Sequence, residues 1–329
     1  MANERKVLGP TLIEQVLSQT LGGPRKRAFL AAMQAAVPWS KLAEPVRALY
    51  RNDEGKGGRP NVPVVVMLKC LLVQKWFGYS DPQLEEALLD SIAVREFVGL
   101  GQDDAVVDET TMVVFRGRLR EAGLTTALFD TVLDHLQAQG LIVDEGTIVD
   151  ATIISAPTGK KTRDASGEVV KDTRDTQAGF TRKHGRSYHG YKTHIATDTR
   201  GVVKDYRVTS ATEHDSQRFD ELTEGETKAK YGDSAYMDKQ RKTKLQEQGI
   251  FCGIIERRVR GQEELKPKQK AHNQAVSIVR AHVEHVFGWG WQMRQFIRAR
   301  YRGLRRNAED FAWGLIAYNL KRSTSLTPT

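Results

Sequence analysis

The sequence predicts an α+β protein: an all-α N-terminal domain over residues 1–140, then a mixed β-sheet flanked by helices over residues 141–329. Three observations predict it. Up to about residue 140 the apolar residues recur at three- and four-residue steps, as on helices. From Gly146 onward, apolar runs of strand length alternate with helical stretches. Between these strands, at about 157–188, lies a basic, polar insertion without apolar periodicity, read as a mobile loop.

The helical part opens its clearest element with Val64, Val65, Leu68, Leu71, Leu72 and Trp76, whose spacing buries one broad face. Before it, residues 52–60 are rich in helix breakers and read as a flexible loop. In Ser80-Asp81-Pro82-Gln83, Ser80 can cap a helix and Gln83 can return the bond. Asp108 or Thr110 opens a further helix through Val113, Val114, Phe115 and Leu119, with Arg116, Arg118 and Arg120 on its polar side. These last two helices read either as a helix-turn-helix-like module with the arginines facing DNA, or as a solvated face of a bundle. A final helix runs from Thr125 to Gln139 and stops at Gly140.

The second part begins with Gly146-Thr147-Ile148-Val149-Asp150-Ala151-Thr152-Ile153-Ile154, a buried strand whose apolar run Asp150 closes. Strands at 191–198 and 202–209 flank Thr199-Arg200-Gly201 as a hairpin. A helix near Phe219, a short strand ending at Asp233, a helix at 239–248 and a strand at 249–255 follow. Two helices finish the chain, one bearing Glu284 and one from Asn307 to about Lys321. Strand, hairpin, helix, strand, helix, strand, helix is the order of an RNase H-like mixed sheet.

Composition narrows the function. With 40% hydrophobic and 28% charged residues the chain is an ordinary globular one, and its net charge of +9 points to a polyanionic partner. Between residues 294 and 306 stand Arg294, Arg298, Arg300, Arg302, Arg305 and Arg306 with no acid among them. Cys70 and Cys252, far apart and in apolar surroundings, suit neither a disulfide framework nor a zinc site. The N-terminus lacks a signal-peptide pattern, and the apolar stretch at 62–73 is too short to span a bilayer. A cytoplasmic, soluble protein is expected, nucleoid-associated when bound to DNA and with no membrane partner.

Asp150, Asp233 and Glu284 carry the chemistry in this reading. Two acids at strand ends and one on a helix can hold a pair of hard divalent cations, Mg2+ or Mn2+, which activate a water or hydroxyl for attack on a phosphodiester. Asp150 is expected to bridge both ions, Asp233 to complete one and Glu284 the other. On the Glu284 helix, Ser277, Arg280, Glu284 and Trp291 share a face by their spacing, while Ala275, Ile278, Val279, His282, Val283 and Val286 mostly turn to the core. Arg280 is placed to hold a phosphate oxygen or orient the glutamate. Lys192, beside His189 at the start of a strand, is a candidate to approach the scissile phosphate. Gly159-Lys160-Lys161-Thr162 lacks the first glycine of a phosphate loop, so no ATP is expected.

The chain resembles a bacterial insertion-sequence transposase of the IS-five group, in the DDE superfamily with an RNase H-like core. The resemblance rests on Tyr79-Ser80-Asp81-Pro82-Gln83-Leu84, Val149-Asp150-Ala151-Thr152 and His189-Gly190-Tyr191-Lys192. It continues in Gly232-Asp233-Ser234-Ala235-Tyr236, Val283-Glu284-His285-Val286-Phe287-Gly288 and Tyr318-Asn319-Leu320. It implies that Asp150, Asp233 and Glu284 are the catalytic acids. Relatives resemble a signature of Tyr, Arg, Glu and Lys, of which Arg280 and Glu284 stand here while Ser277 and Trp291 replace the ends. Arg294, a turn past Trp291, is the nearest cation that replaces the lysine, with Arg298 next. Trp291 reads as a stacking surface for an unpaired base or as a core residue. The expected partners are double-stranded DNA, both transposon ends and target, and a second copy of the chain, since two ends must be joined. The rival readings are a metal-dependent nuclease that never joins, and a non-catalytic DNA-binding descendant.

Overall fold

The computed structural model describes residues 4–20, 23–50, 60–164, 166–183, 185–258 and 261–327. The breaker-rich stretch expected at 52–60 therefore lies, except for Pro60, outside the described residues. The chain divides into two compact units, Met1–Gln139 with Ile316–Thr329, and Gly140–Leu315. The first boundary falls where the helical pattern stops. The grouping of Ile316–Thr329 with the first unit differs from the linear division expected at residue 140.

The first unit contains α1 (Leu12–Thr20), α2 (Pro24–Ala36), α3 (Trp39–Arg47), α4 (Val64–Phe77), α5 (Asp81–Asp90), α6 (Ile92–Val98), α7 (Glu109–Glu121) and α8 (Leu124–Ala138). α4 is buried on nearly every side, Lys69, Gln74 and Lys75 included, rather than on one broad face. A helix surrounded in this way is the axis of a helical core. Its Trp76 indole donates to the Ala317 carbonyl at 2.9 Å. Ser80 and Gln83 form the reciprocal cap expected at the start of α5. Asp108, not Thr110, caps α7 by accepting from the Thr111 amide at 2.7 Å.

In the second unit the strands are β1 (Thr147–Ser155), β2 (Lys161–Arg163), β3 (Val169–Asp172), β4 (Gly179–Lys183), β5 (Arg186–Thr197), β6 (Val203–Ser210), β7 (Ala229–Gly232) and β8 (Phe251–Ile254). The helices are α9 (Phe219–Leu222), α10 (Lys239–Glu247), α11 (Pro267–Gln292) and α12 (Leu304–Leu326), whose last turns belong to the first unit. In the main sheet β5, β1, β7 and β8 are consecutive neighbours, and both β4 and β6 pair with β5. β1 runs antiparallel to β5 and parallel to β7, and β7 runs parallel to β8. This is the mixed, RNase H-like sheet expected from the order of elements. Among the described residues no helix is long and apolar enough to cross a membrane.

The insertion at 157–188 is not the structureless loop expected. β2 and β3 pair as a ribbon, and β4 extends the sheet along the start of β5, which begins at Arg186 instead of 191. All three residues of β2 are exposed, so the apolar alternation that marks a half-buried strand is missing there.

The pleat sorts the strands' side chains onto two faces. Val149, opposite Ala196, belongs to a core cluster with Phe219, Leu222, Tyr236 and Ile254. Asp150, opposite Ile195, therefore projects to the other face. β1 and β5 approach closely at their far end, where a Cβ on Gly190 would lie 2.0 Å from the Ile154 carbonyl oxygen; only glycine fits.

Candidate active site

Asp150 is the fourth residue of a nine-residue strand, not its last, because β1 continues to Ser155 along β5. The expected strand end is nevertheless present on the other side of β1. The parallel pairing with β7 matches Thr147 to Lys230 and Ile148 to Tyr231, and β7 stops at Gly232. Carried two residues further, that register sets Asp233 opposite Asp150, on the same face and about 4.8 Å away at the backbone. The charge of Asp233 acts on Asp150 accordingly.

Each carboxylate is held by a neighbouring amide. Asp150 Oδ1 accepts from the Ala151 N–H at 2.8 Å. Asp233 Oδ1 accepts from the Ala235 N–H at 2.7 Å, capping a short 3-10 turn at Ser234–Tyr236. Burial pushes the Asp150 carboxyl above its ordinary value, the Arg280 guanidinium and the Ala151 N–H pull it back, and Asp233 adds to the rise.

Arg280 comes from α11, which packs across β1, β7 and β8. Its Nη2 lies 3.2 Å from Asp150 Oδ2, so the arginine expected to hold phosphate is here the counter-charge of the buried aspartate. Its Nε is buried without a hydrogen-bond partner. Val276, Val283, Val286, Trp289 and Gly290 form the buried stripe of α11. Ala275 and Ile278, expected toward the core, are exposed, Ile278 by 67%. They sit behind that stripe, where apolar character alone does not place a side chain inside. Glu284, four residues past Arg280 and about 40° round the helix, is exposed on the same flank. The sheet thus pairs Asp150 with Asp233, while Glu284 faces solvent. Among the described residues no three His, Cys, Asp or Glu side chains are grouped closely enough to hold a metal ion as they lie.

The other expected contacts divide. Lys192 pairs in register with Ile153 and so lies on the face opposite Asp150. There it is buried, with Nζ 2.9 Å from Asp215 Oδ1 and 2.7 Å from the Glu213 carbonyl. This ion pair, and not the scissile phosphate, is its partner. Arg116 is likewise engaged within the first unit, with Nη2 at 2.5 Å from Asp81 Oδ2 and Nη1 at 3.1 Å from Gln74 Oε1. α6 lies between α5 and α7 in the chain, so the two helices read as consecutive are separated by a third, although α5 and α7 still pack together. Arg118 is exposed on α7 and Arg120 half-buried. Arg294 and Arg298 are exposed, and Arg298 forms a parallel bridge with Ser155 at the end of β1. Trp291 is 59% exposed, which excludes the core alternative for it.

Sequence reading overlooked Tyr236 as more than part of a motif. Its ring is buried against Phe219, with centroids 5.2 Å apart, and its hydroxyl has no partner. Burial raises its pKa well above the ordinary phenol value, and Asp150, Asp215 and Asp233 add to the rise. Nothing local in Ser234-Ala235-Tyr236 announces this, because Phe219, against which the ring packs, and Asp150 and Asp215, whose charges act on the hydroxyl, lie far off in sequence.

Two register-matched carboxylates with hard oxygen donors fit a divalent cation, which needs only one or two protein carboxylates beside water and substrate oxygens. A mixed sheet of this topology with such a pair on one face defines a class: metal-dependent phosphoryl-transfer enzymes acting on nucleic acid.

Comparison with known families identifies the member of that class. Residues 142–320, more than half of the chain, match the family described as Transposase DDE domain, and residues 22–118 match Transposase domain (DUF772). The chain belongs to the DDE transposase family and is a DNA transposase. Enzymes of this family use divalent metal ions. Among solved structures, the piggyBac transposase synaptic complex with hairpin DNA is similar at 10% identity and a TM-score of 0.46, over 96% of this chain and 77% of that one. The Mos1 strand transfer complex is 11% identical with a TM-score of 0.20, over 90% and 91% of the two chains. A pre-cleavage Mos1 transpososome is 14% identical with a TM-score of 0.20, over 95% and 90%.

Proposed function

We propose that this DNA transposase serves a bacterial insertion sequence of the IS-five group. It binds the terminal inverted repeats of its own element, cuts a strand at the element end to leave a 3′ hydroxyl, and joins that hydroxyl to target DNA. The observation that carries the reading is the parallel pairing of β1 with β7, whose register, continued past the end of β7, brings Asp233 beside Asp150.

In this reading Asp150 and Asp233 hold Mg2+ or Mn2+, and Glu284 joins them from α11. When bound, such ions lower the pKa of an attacking water or hydroxyl and offset charge developing on the phosphate. The protein's part is orientation. The Ala151 and Ala235 amides fix one oxygen of each aspartate, leaving the others directed away from those bonds. Arg280, with an unpartnered Nε, supplies a donor for a non-bridging phosphate oxygen. Exposed Arg294 and Arg298 contact the DNA backbone beyond the end of β1. Cutting and joining are the same in-line displacement with different nucleophiles, so one site serves both. Two copies act together on the DNA, one for each end, in the cytoplasm and at the nucleoid.

The test is a labelled duplex carrying the element's own end, incubated with Mg2+ or Mn2+ and a target plasmid. Wild-type protein should give a nicked end and then a joined product. Asp150→Asn, Asp233→Asn and Glu284→Gln, each checked for folding by circular dichroism, should give neither. Cutting by Asp150→Asn or Asp233→Asn at the wild-type rate would refute the reading. Cutting without joined product by the wild type would favour a nuclease.

A further inference from the structure

We propose that the hairpin of β4 and β5 is a DNA-contacting arm, its outer pairs lying in the major groove of the duplex with Arg182, Lys183 and Arg186 against the phosphates. The inference rests on the substrate being double-stranded DNA and extends that reading to a surface outside the acid site. The sheet ends before the hairpin does. β1 accompanies β5 only as far as Ser155 beside Gly190, and β6 only as far as Ser210 beside Tyr191. From Gly179 opposite Gly190, β4 continues outward through Phe180–His189, Thr181–Tyr188 and Arg182–Ser187 to Lys183–Arg186. Among the described residues no third strand accompanies these outer pairs, so they form a free-standing two-stranded ribbon. Its root is fixed: a Cβ on Gly179 would lie 2.2 Å from Ser210 Oγ, and the Ala156 N–H donates to the His189 carbonyl at 2.8 Å.

The tip is charged without compensation. From residue 176 to residue 197 the chain holds no acid. Arg182, Lys183 and Arg186 are exposed, and among the described residues no carboxylate pairs with any of them. By the pleat, Arg182 falls on one face of the ribbon, and Lys183 and Arg186 on the other. The Phe180 ring shares the Arg182 face, 63% exposed and 4.7 Å from the ring of His189. The cations therefore surround the tip, within reach of phosphates whichever face meets the bases. The major groove is about 12 Å wide and admits a two-stranded β-ribbon, and such ribbons are used for DNA contact in several folds. An acidic protein surface would match the charge but gives no reason for a bare projecting ribbon. Lys183 is also among the charges that lower the Asp150 carboxyl, which keeps the arm within electrostatic reach of the acids.

The experiment uses the full-length protein in EDTA, so that its outcome does not depend on the metal reading. Fluorescence anisotropy compares wild type with the triple variant Arg182→Ser, Lys183→Ser, Arg186→Ser on a duplex carrying the element's end, over a range of salt. Each phosphate contact contributes about 0.9 to the slope of log affinity against log salt, so the variant's slope should be shallower by about 2–3. Dimethyl sulfate should show guanine N7 atoms of the major groove protected by wild type and not by the variant. On wild type alone, acetic anhydride should acylate Lys183 in the free protein and spare it in the complex, as read by mass spectrometry. This footprint decides the matter should the variant melt at a lower temperature than wild type. A wild-type salt slope in a variant of unchanged melting temperature, or equal acylation of Lys183 with and without DNA, would overturn the inference and leave the arm to an acidic protein partner. A shallower slope with guanine protection kept would overturn it too, by placing the arm outside the groove. If wild type binds no duplex at all, the DNA reading itself falls, and the inference with it.

Discussion

Replacing Arg280 by glutamine tests the electrostatics of the acid site most directly. Among the influences that lower the Asp150 carboxyl, the guanidinium is the largest, and burial opposes it. Arg280→Gln leaves Asp150 facing burial and the Asp233 charge, with the Ala151 N–H and Lys183 as remaining support. Breaking a fully buried ion pair costs about 3–5 kcal/mol and breaking an exposed one about 0–1 kcal/mol. With 15% of the Arg280 side chain and 21% of the Asp150 side chain still exposed, the pair stands between those limits. The expected loss at neutral pH is therefore about 1–3 kcal/mol.

The pH dependence has a definite sign. The folded pKa of Asp150 is raised, so the folded chain keeps a proton that the unfolded chain has released. Stability from this group therefore falls as pH rises from the ordinary carboxylate range through the folded value. Removing Arg280 moves that folded value higher still. The deficit of Arg280→Gln should shrink as pH is lowered from neutral into the acid range, where the folded chain of both proteins holds the proton. Urea unfolding of both proteins from pH 5 to 8 measures it. Mn2+ at neutral pH should also raise the melting temperature of Arg280→Gln more than that of wild type, because the cation replaces a missing charge. A deficit of the same size at every pH, or an equal gain from Mn2+, would refute the reasoning.

Further predictions concern groups away from the acids. Lys69 is buried in α4, and burial lowers its pKa from 10.5 to about 8, although its Nζ donates to the Phe97 carbonyl at 2.7 Å and lies over the Trp39 and Phe97 rings. The folded chain releases this proton near pH 8 and the unfolded chain only near 10.5, so wild-type stability should rise across that window. The rise is at most about 3 kcal/mol, and unfolding of Lys69→Met over the same pH range should lack it. Arg294 ends α11 in the left-handed region, with φ of 53°, while the Gln295 N–H closes the turn onto the Gly290 carbonyl. Glycine is favoured at such a C-terminal position, so Arg294→Gly should gain about 1 kcal/mol of stability. The same variant should bind DNA more weakly with a shallower salt slope, as measured by fluorescence anisotropy.

The architecture was legible because its signals are local or nearly so. The apolar run around Val149, the Ser80 cap and the order of strands and helices need only short windows of sequence. What escaped depends on pairings between distant residues. Lys192 reads as a strand cation near the acids until its register with Ile153 puts it on the other face. Arg116 reads as a solvent-facing cation until Asp81, 35 residues earlier, meets it. β2 and β4 carry charged residues without an apolar face, so neither produces the alternation by which a strand is recognised. The acids show the same division. Asp150 and Asp233 stand out as acids next to apolar or glycine-bounded strands, but nothing in either segment specifies that the two share a register.

The sheet and the helix contribute their acids in physically different ways. Asp150 and Asp233 are tied to the pairing of β1 with β7 and to the tight packing of Gly232 on Phe219 and Tyr236, so they cannot separate without disturbing the core. The charge of Asp233 adds to the rise that burial gives the Asp150 carboxyl. Arg280 offsets one of the two charges and leaves the other uncompensated. A divalent ion would balance both, after which the guanidinium has no carboxylate to neutralise and can turn to phosphate. Glu284, exposed on the same flank of α11, is not bound by that constraint and can join when ion and DNA are present. On the proposed reading, the fold fixes the two aspartates and leaves the exposed Glu284 of α11 free to adjust.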